Sequence, residues 1–394
     1  MDPTVEPTAE DVLLAYTEDY FERLGALSFR EMAERQQGFF SSFAFGAAGV
    51  AYTCWYAARV LDDAELLEEA ERWSREALAH QRHRLAFRVP RSELAHRPPS
   101  HFLYGLAGAL FVRALVAHSR GDARTRERAL RRFAEVARQS REGKPELYNG
   151  SAGCLAATSV LYSQMGGRRL EELGRELSRD LTARAGAPED PDDPEHPEDP
   201  AVPWPELRGL GLSHGSSGAC LALLLWAEAS GGSSSPLPDW FAPSLLETLT
   251  GAVREPERLC PDESYHPLLC NGFTGLVLLA AKAAQVLEDR RFVAAARAAA
   301  QPVLARLPQE PDLCCGRAGV ASALLALARV DPEGSWRGHA RDLTLSTLLC
   351  EPKDWFSAGL YSGEAAIPYL AIQLTAGIDA GPPGLEIPEG LPSL

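Results

Sequence analysis

A Gly-x-x-Gly turn that runs straight into a small, apolar segment recurs along this 394-residue chain, and it limits the fold more than any other feature. The first glycines of the turns are Gly46, Gly105, Gly150, Gly215, Gly272, Gly316 and Gly363, spaced 44 to 65 residues apart. Six copies keep the second glycine, and the seventh has Ala366 in its place. A period near 50 residues holds a helical hairpin, two helices with their connections. The first glycine is expected to let the chain turn sharply into the helix. The second is expected to let the first helical turn pack close to a neighbour.

The segments after the turns, such as residues 219–226 and 320–327, are apolar nearly all round and should be buried helices. Between them lie charged, amphipathic stretches at 63–84, 122–138 and 289–306, which should be outer helices with one solvated face. Seven hairpins predict seven buried and seven outer helices. A helix that is apolar all round needs neighbours on both sides, which a closed ring supplies and an open stack does not. No run of β-branched alternation suggests a sheet, and no break in composition divides the chain, so residues 1–394 read as one all-α domain. A helix is expected over about 8–36, with Thr8 as N-cap and Glu10 and Asp11 in its first turn. The repeats then fill about 40–375. Residues 186–206 are rich in proline and acid and read as an extended surface loop, or as an acidic flap touching a basic peptide.

The net charge of −15 argues against nucleic acid and against an anionic membrane surface, both of which select for basic patches. No apolar run approaches the roughly 18 residues of a membrane span. The N-terminus is acidic and lacks the basic start and apolar run of a secretion signal. The expectation is a cytoplasmic monomer. In that setting eight cysteines spread over a long chain are core residues or metal ligands rather than a disulfide framework.

Three of the cysteines stand apart. Cys270 precedes Asn271-Gly272, and Cys314-Cys315 precede Gly316, 44 residues later. If the two helices that follow are neighbours, three sulfurs converge. Three thiolates can hold zinc and leave its fourth position open, the arrangement of a catalytic rather than a structural site. Helix N-termini also favour thiolate. Cys54, Cys154, Cys220 and Cys350 fall within apolar runs and read as small core residues, and the surroundings of Cys260 say nothing. His214 occupies the pre-glycine position of the fourth repeat and is a candidate general acid or base. Glu146, four residues before Gly150, points to the same centre or pairs on the surface, and His266, four residues before Cys270, is similar; both are candidate catalytic residues beside His214.

Taken together, the seven turns, Ser213-His214-Gly215-Ser216-Ser217-Gly218, Leu269-Cys270-Asn271-Gly272 and Leu313-Cys314-Cys315-Gly316 resemble the lanthionine synthetase C family. The resemblance runs from about residue 40 to 375. It implies a double α/α toroid, one central zinc ion per chain, and Michael addition of peptide cysteine thiols to dehydroalanine or dehydrobutyrine, as in lanthipeptide biosynthesis. It places the zinc ligands on Cys270, Cys314 and Cys315, with Cys315 where the family usually has histidine. It places the acid/base histidine on His214 and the essential carboxylate on Glu146. Where the family has an arginine near zinc this chain has His266, and where it has an aromatic residue or histidine this chain has Asn271.

Zinc lowers the pKa of a bound thiol, and three protein thiolates give the site a formal charge of −1, which becomes −2 with a fourth. The bound sulfur is then electron-rich and suited to attack an activated alkene. The implied partners are a dehydrated precursor peptide with its leader and a separate dehydratase, since the chain has no room for a second catalytic domain. Two other readings remain open: addition of a small thiol such as glutathione to dehydrated residues, and a non-catalytic toroid that binds a modified peptide.

Overall fold

The structure is a computed structural model that describes residues 7–36, 38, 40–87, 100–185, 204, 207, 209–231, 237–258, 262–350 and 359–388. The N-terminal helices are α1 (Ala9–Ala26) and α2 (Phe29–Gln36). Inner and outer helices then alternate: α3 (Ala47–Leu61) and α4 (Ala64–Ala79), α5 (Leu106–Ser119) and α6 (Ala123–Gln139), α7 (Ser151–Met165) and α8 (Arg168–Arg184). They continue as α9 (Ser216–Ala229) and α10 (Phe241–Arg254), α11 (Phe273–Leu287) and α12 (Arg290–Ala305), α13 (Arg317–Val330) and α14 (Trp336–Leu348), ending with α15 (Ala366–Ala376). Among the described residues there is no strand. The seven helices that follow the glycine turns pack in sequence order, and α15 returns to α3, so the inner ring closes into an α/α toroid. In α3 every residue from Ala47 to Arg59 is buried, as expected of a helix with neighbours on all sides.

The outer ring departs from the expected seven hairpins. No outer helix follows α15 among the described residues. Its place is taken by α1, which packs on α15 and α14. Arg23 pairs with Glu364 at 2.6 Å and Tyr16 donates to the same carboxylate at 2.8 Å, while Arg72 of α4 donates to the carbonyls of Leu24 and Leu27. The chain's first helix therefore completes its last hairpin. The single helix expected over 8–36 is two helices. Thr8 is the expected N-cap and forms a capping box with Asp11, but Ser28 and Glu31 form a second one that starts a new helix.

The two glycines of each turn serve close packing. The first is extended, with φ −129° and ψ −172° at Gly316, so it needs no left-handed conformation as a sharp turn would. What forbids a side chain is space: a Cβ on Gly150 would lie 1.9 Å from the Lys144 carbonyl oxygen. At the second position a Cβ on Gly49 would lie 2.2 Å from the Phe43 carbonyl and 2.7 Å from Cβ of Leu360 in the neighbouring repeat. In the seventh repeat, Ala366 stands there and the helix begins at that residue, three positions after Gly363, whereas the other inner helices begin immediately after the first glycine.

The turns also form a belt. The residues two positions before the first glycines are Ala44, Leu103, Tyr148, Ser213, Cys270, Cys314 and Tyr361. Backbone N–H groups donate from Tyr148 to Ser213 at 3.1 Å, from Ser213 to Cys270 at 2.7 Å and from Cys314 to Tyr361 at 2.8 Å. Tyr361 donates to Ala44 at 2.7 Å and Ala44 to Leu103 at 2.8 Å, so the seventh repeat is stitched to the first. This belt forms one end of the toroid. The other end is filled by residues 378–387, where Glu386 is buried against Lys282 and Arg329. Of residues 186–206 the structure describes Trp204, whose indole N–H donates to the Leu181 carbonyl; the rest of that expected loop, and Cys260, lie outside the described residues.

Candidate metal centre

The belt fixes the backbone beneath Cys270 and Cys314, and adjacent packing of α11 and α13 brings the two cysteine turns together. The sulfurs of Cys270, Cys314 and Cys315 all lie within 4.8 Å of one another, and the Cys270 and Cys315 sulfurs are 3.8 Å apart. Zinc–sulfur bonds of about 2.3 Å at tetrahedral angles separate two sulfurs by about 3.8 Å, so the thiols fit such an ion. The Asp312 carboxylate fixes the second cysteine turn by accepting the Cys315 backbone N–H at 2.5 Å.

Without a cation, the cluster resists ionisation. Cys314 pulls the Cys270 thiol down, but hydrogen bonding with Cys315, burial and the Cys315 charge outweigh it and push Cys270 up to about 12. Cys314 is pushed up by its bond to Cys270 and by burial, though Cys315 pulls it down. Cys315 also ends up raised, because Cys314 and burial outweigh the lowering by Cys270. The thiolate preference expected at a helix N-terminus is overridden by crowding three potential anions in a half-buried space. A divalent cation reverses that balance. Among the other cysteines, Cys54, Cys154 and Cys220 are buried as expected, but Cys350 is half-exposed at the end of α14.

His214 and Glu146 meet on the same rim. Glu146 Oε2 lies 3.0 Å from His214 Nδ1, with the Glu146 side chain 9% exposed and that of His214 48% exposed. Burial pushes the Glu146 carboxyl up, but hydrogen bonding and charge from His214, with Asn149 and Lys144, hold it below its ordinary value. Because a carboxylate only accepts, Nδ1 carries the proton and Nε2 is left for chemistry. His266 closes its loop differently: its carbonyl accepts the Phe273 N–H at 2.6 Å, and its ring stands edge-on to Phe273 at 5.6 Å. Lys144 accepts Ser151 and Glu310 accepts Arg317 in the same register, so this position closes the loop through its backbone. Neither His266 nor His214 belongs to the 4.8 Å group of thiols.

Asp312 and Tyr148 were not singled out from sequence. Asp312 stands four residues before Gly316, as Glu146 stands four before Gly150, and that shared register could have found it. Burial raises its carboxyl to about 6 against the Cys315 and Cys314 N–H groups. Tyr148 offers no such signal; its hydroxyl reaches the Cys314 sulfur at 3.5 Å across the ring.

Fold and site thus define an α/α toroid with a three-thiol cluster at one end. A family model for lanthionine synthetase C-like proteins matches residues 42–375, and the chain belongs to that family. Among solved structures, nisin cyclase is similar over 93% of this chain and 94% of that one, with a TM-score of 0.63 and 13% sequence identity, a likeness of fold. No helix of the described residues is long and apolar enough to cross a membrane.

Proposed function

We propose that this chain is a zinc-dependent cyclase that adds cysteine thiols to dehydroalanine or dehydrobutyrine in a dehydrated precursor peptide, closing thioether rings. The observation that carries the reading is the convergence of Cys270, Cys314 and Cys315, with a sulfur–sulfur distance of 3.8 Å that suits tetrahedral zinc, beside a Glu146–His214 pair. Zinc held by the three sulfurs supplies a means of ionising an incoming thiol near neutral pH.

The chain's own residues account for the proton. As the substrate sulfur bonds to the β-carbon, the alkene electron pair moves toward the α-carbon and carbonyl, and the enolate needs one proton. His214 in its protonated form delivers it from Nε2, while Nδ1–H stays bonded to Glu146, which steadies the imidazolium. In its neutral form the same nitrogen takes the proton of the incoming thiol. His266 is not assigned a proton-transfer part in this scheme. The precursor, its leader and a separate dehydratase are the implied partners.

The test begins with metal content. About one zinc per chain is expected in the wild type, lost in Cys270→Ala, Cys314→Ala and Cys315→Ala and kept in His214→Ala. A dehydrated peptide incubated with the zinc form should lose free thiol without change of mass. Appearance of a glutathione adduct instead, when glutathione is added, would move the reading to small-thiol addition. A folded wild type that takes up no zinc after supplementation would sink the cyclase mechanism.

A further inference from the structure

Tyr148 belongs to the third repeat, yet its hydroxyl lies 3.5 Å from the sulfur of Cys314 in the sixth. Three contacts fix it there. Its backbone N–H is held in the belt by the Ser213 carbonyl at 3.1 Å. The ring of Tyr104 packs edge-on against it at 5.5 Å, and the ring of His214 does the same at 5.6 Å. Tyr148 is 3% exposed, so bulk water does not compete for the hydroxyl. The residue therefore stands between the Glu146–His214 pair and the thiol cluster, touching both.

We infer that Tyr148 is a positioning residue that donates a hydrogen bond to the Cys314 sulfur and so sets how much charge that sulfur carries when the cluster holds a metal. The inference rests on the three-thiolate reading above. A sulfur that binds a metal has no proton to give, whereas a phenol keeps its own near neutral pH, so the direction is fixed: the hydroxyl donates and the thiolate accepts. All-sulfur coordination leaves the site with excess negative charge, and hydrogen bonds from outside the ligand shell drain some of it. The same bond makes the Cys314 sulfur less nucleophilic than it would be without the hydroxyl. The ring's contact with His214 ties the imidazole to that network.

The test uses cobalt(II) in place of zinc in the full chain, since sulfur-to-cobalt charge-transfer absorption reports charge on the sulfur independently of turnover. Wild type is compared with Tyr148→Phe, which removes one oxygen and keeps the ring. Equal cobalt uptake and an unchanged circular dichroism spectrum are expected, with the charge-transfer band moved to lower energy. Alkylation of Cys314 in the zinc form, followed by peptide mapping, should accelerate by a few-fold to about tenfold, the range that loss of one typical hydrogen bond allows. If Tyr148→Phe does not fold, 3-fluorotyrosine at position 148, a stronger donor, should move the band the opposite way. An unmoved band and an unchanged alkylation rate in a folded, loaded variant would overturn the role of Tyr148 while leaving the metal reading intact. A wild type with no charge-transfer band would overturn both.

Discussion

At the scale of single residues, most of the proposed site residues stand in the two positions before the first glycine. Cys270 and Cys314 occupy one of them; Cys315 and His214 occupy the next. The belt holds the first position by its backbone, so the side chains gather at one end of the channel whatever their identity. That is why the thiol trio was legible in the sequence: equal register in adjacent repeats becomes proximity. The Glu146–His214 pair was half legible, because the register placed both near the centre but only the packing of α7 against α9 brought them to 3.0 Å. Replacing His214 with Asn is expected to slow ring closure by about 100-fold or more, with zinc retained, as measured by loss of peptide thiol. Glu146→Gln should act in the same direction and more weakly, since the imidazole keeps a hydrogen-bond partner but loses the charge that steadies its protonated form. Activity of either variant equal to wild type would remove the pair from the mechanism.

At the scale of helices, the second glycines determine how closely the repeats approach. A Cβ on Gly319 would lie 2.1 Å from the Leu313 carbonyl oxygen and 3.3 Å from Cβ of Leu269, and backbone cannot give way as a flexible side chain can. Gly319→Ala is expected to destabilise the fold by about 3 kcal/mol, read as a lower denaturation midpoint. It should also weaken zinc binding, because α13 carries Cys314 and Cys315 just before its start. Ala366→Gly, by contrast, introduces no clash and should lower the midpoint only modestly, a cost of about 1 kcal/mol for a lost buried methyl at a helix start. The helices themselves were legible from periodicity; the outer segments 122–138 and 289–306 fell within a residue of their observed bounds, whereas 63–84 overran α4, which ends at Ala79. The displaced outer helix was not: nothing in the composition of α1 says that it completes the hairpin of α15, because only ring closure brings the two together.

At the scale of the whole molecule, the C-terminal segment closes the toroid opposite the thiols. Glu386 is 3% exposed and pairs with Lys282, itself 1% exposed, and with Arg329, whose guanidinium also holds the Asp379 carbonyl. Tyr369 donates to Gly381 at 3.1 Å and Tyr361 to Pro383 at 2.8 Å, and the Tyr361 backbone is the belt partner of Cys314. Removing residues 378–394 is therefore expected to lower the thermal midpoint, expose apolar surface to a fluorescent dye such as ANS, and loosen the metal site. A truncated chain that melts like the full one would refute this. Burial raises the Glu386 carboxyl, but the charges of Lys282 and Arg329 outweigh it and hold it below its ordinary value of 4.5. A lowered carboxylate stabilises the fold above that value, and the contribution is lost as pH falls through the folded value. Wild type should then lose stability more steeply than Glu386→Gln below about pH 4.5 in acid titrations of the unfolding midpoint.

The sequence by itself determined the repeat, the buried helices, the need for a ring and the three sulfurs at equivalent turns, because these depend on spacing and on side-chain polarity. Only the tertiary structure decided that α1 fills the seventh outer place, that residues 378–387 stop the channel, and that Tyr148 reaches Cys314 from 166 residues away. Those contacts exist because a closed ring brings its first and last repeats side by side and turns opposite walls toward one centre. No local pattern encodes that closure.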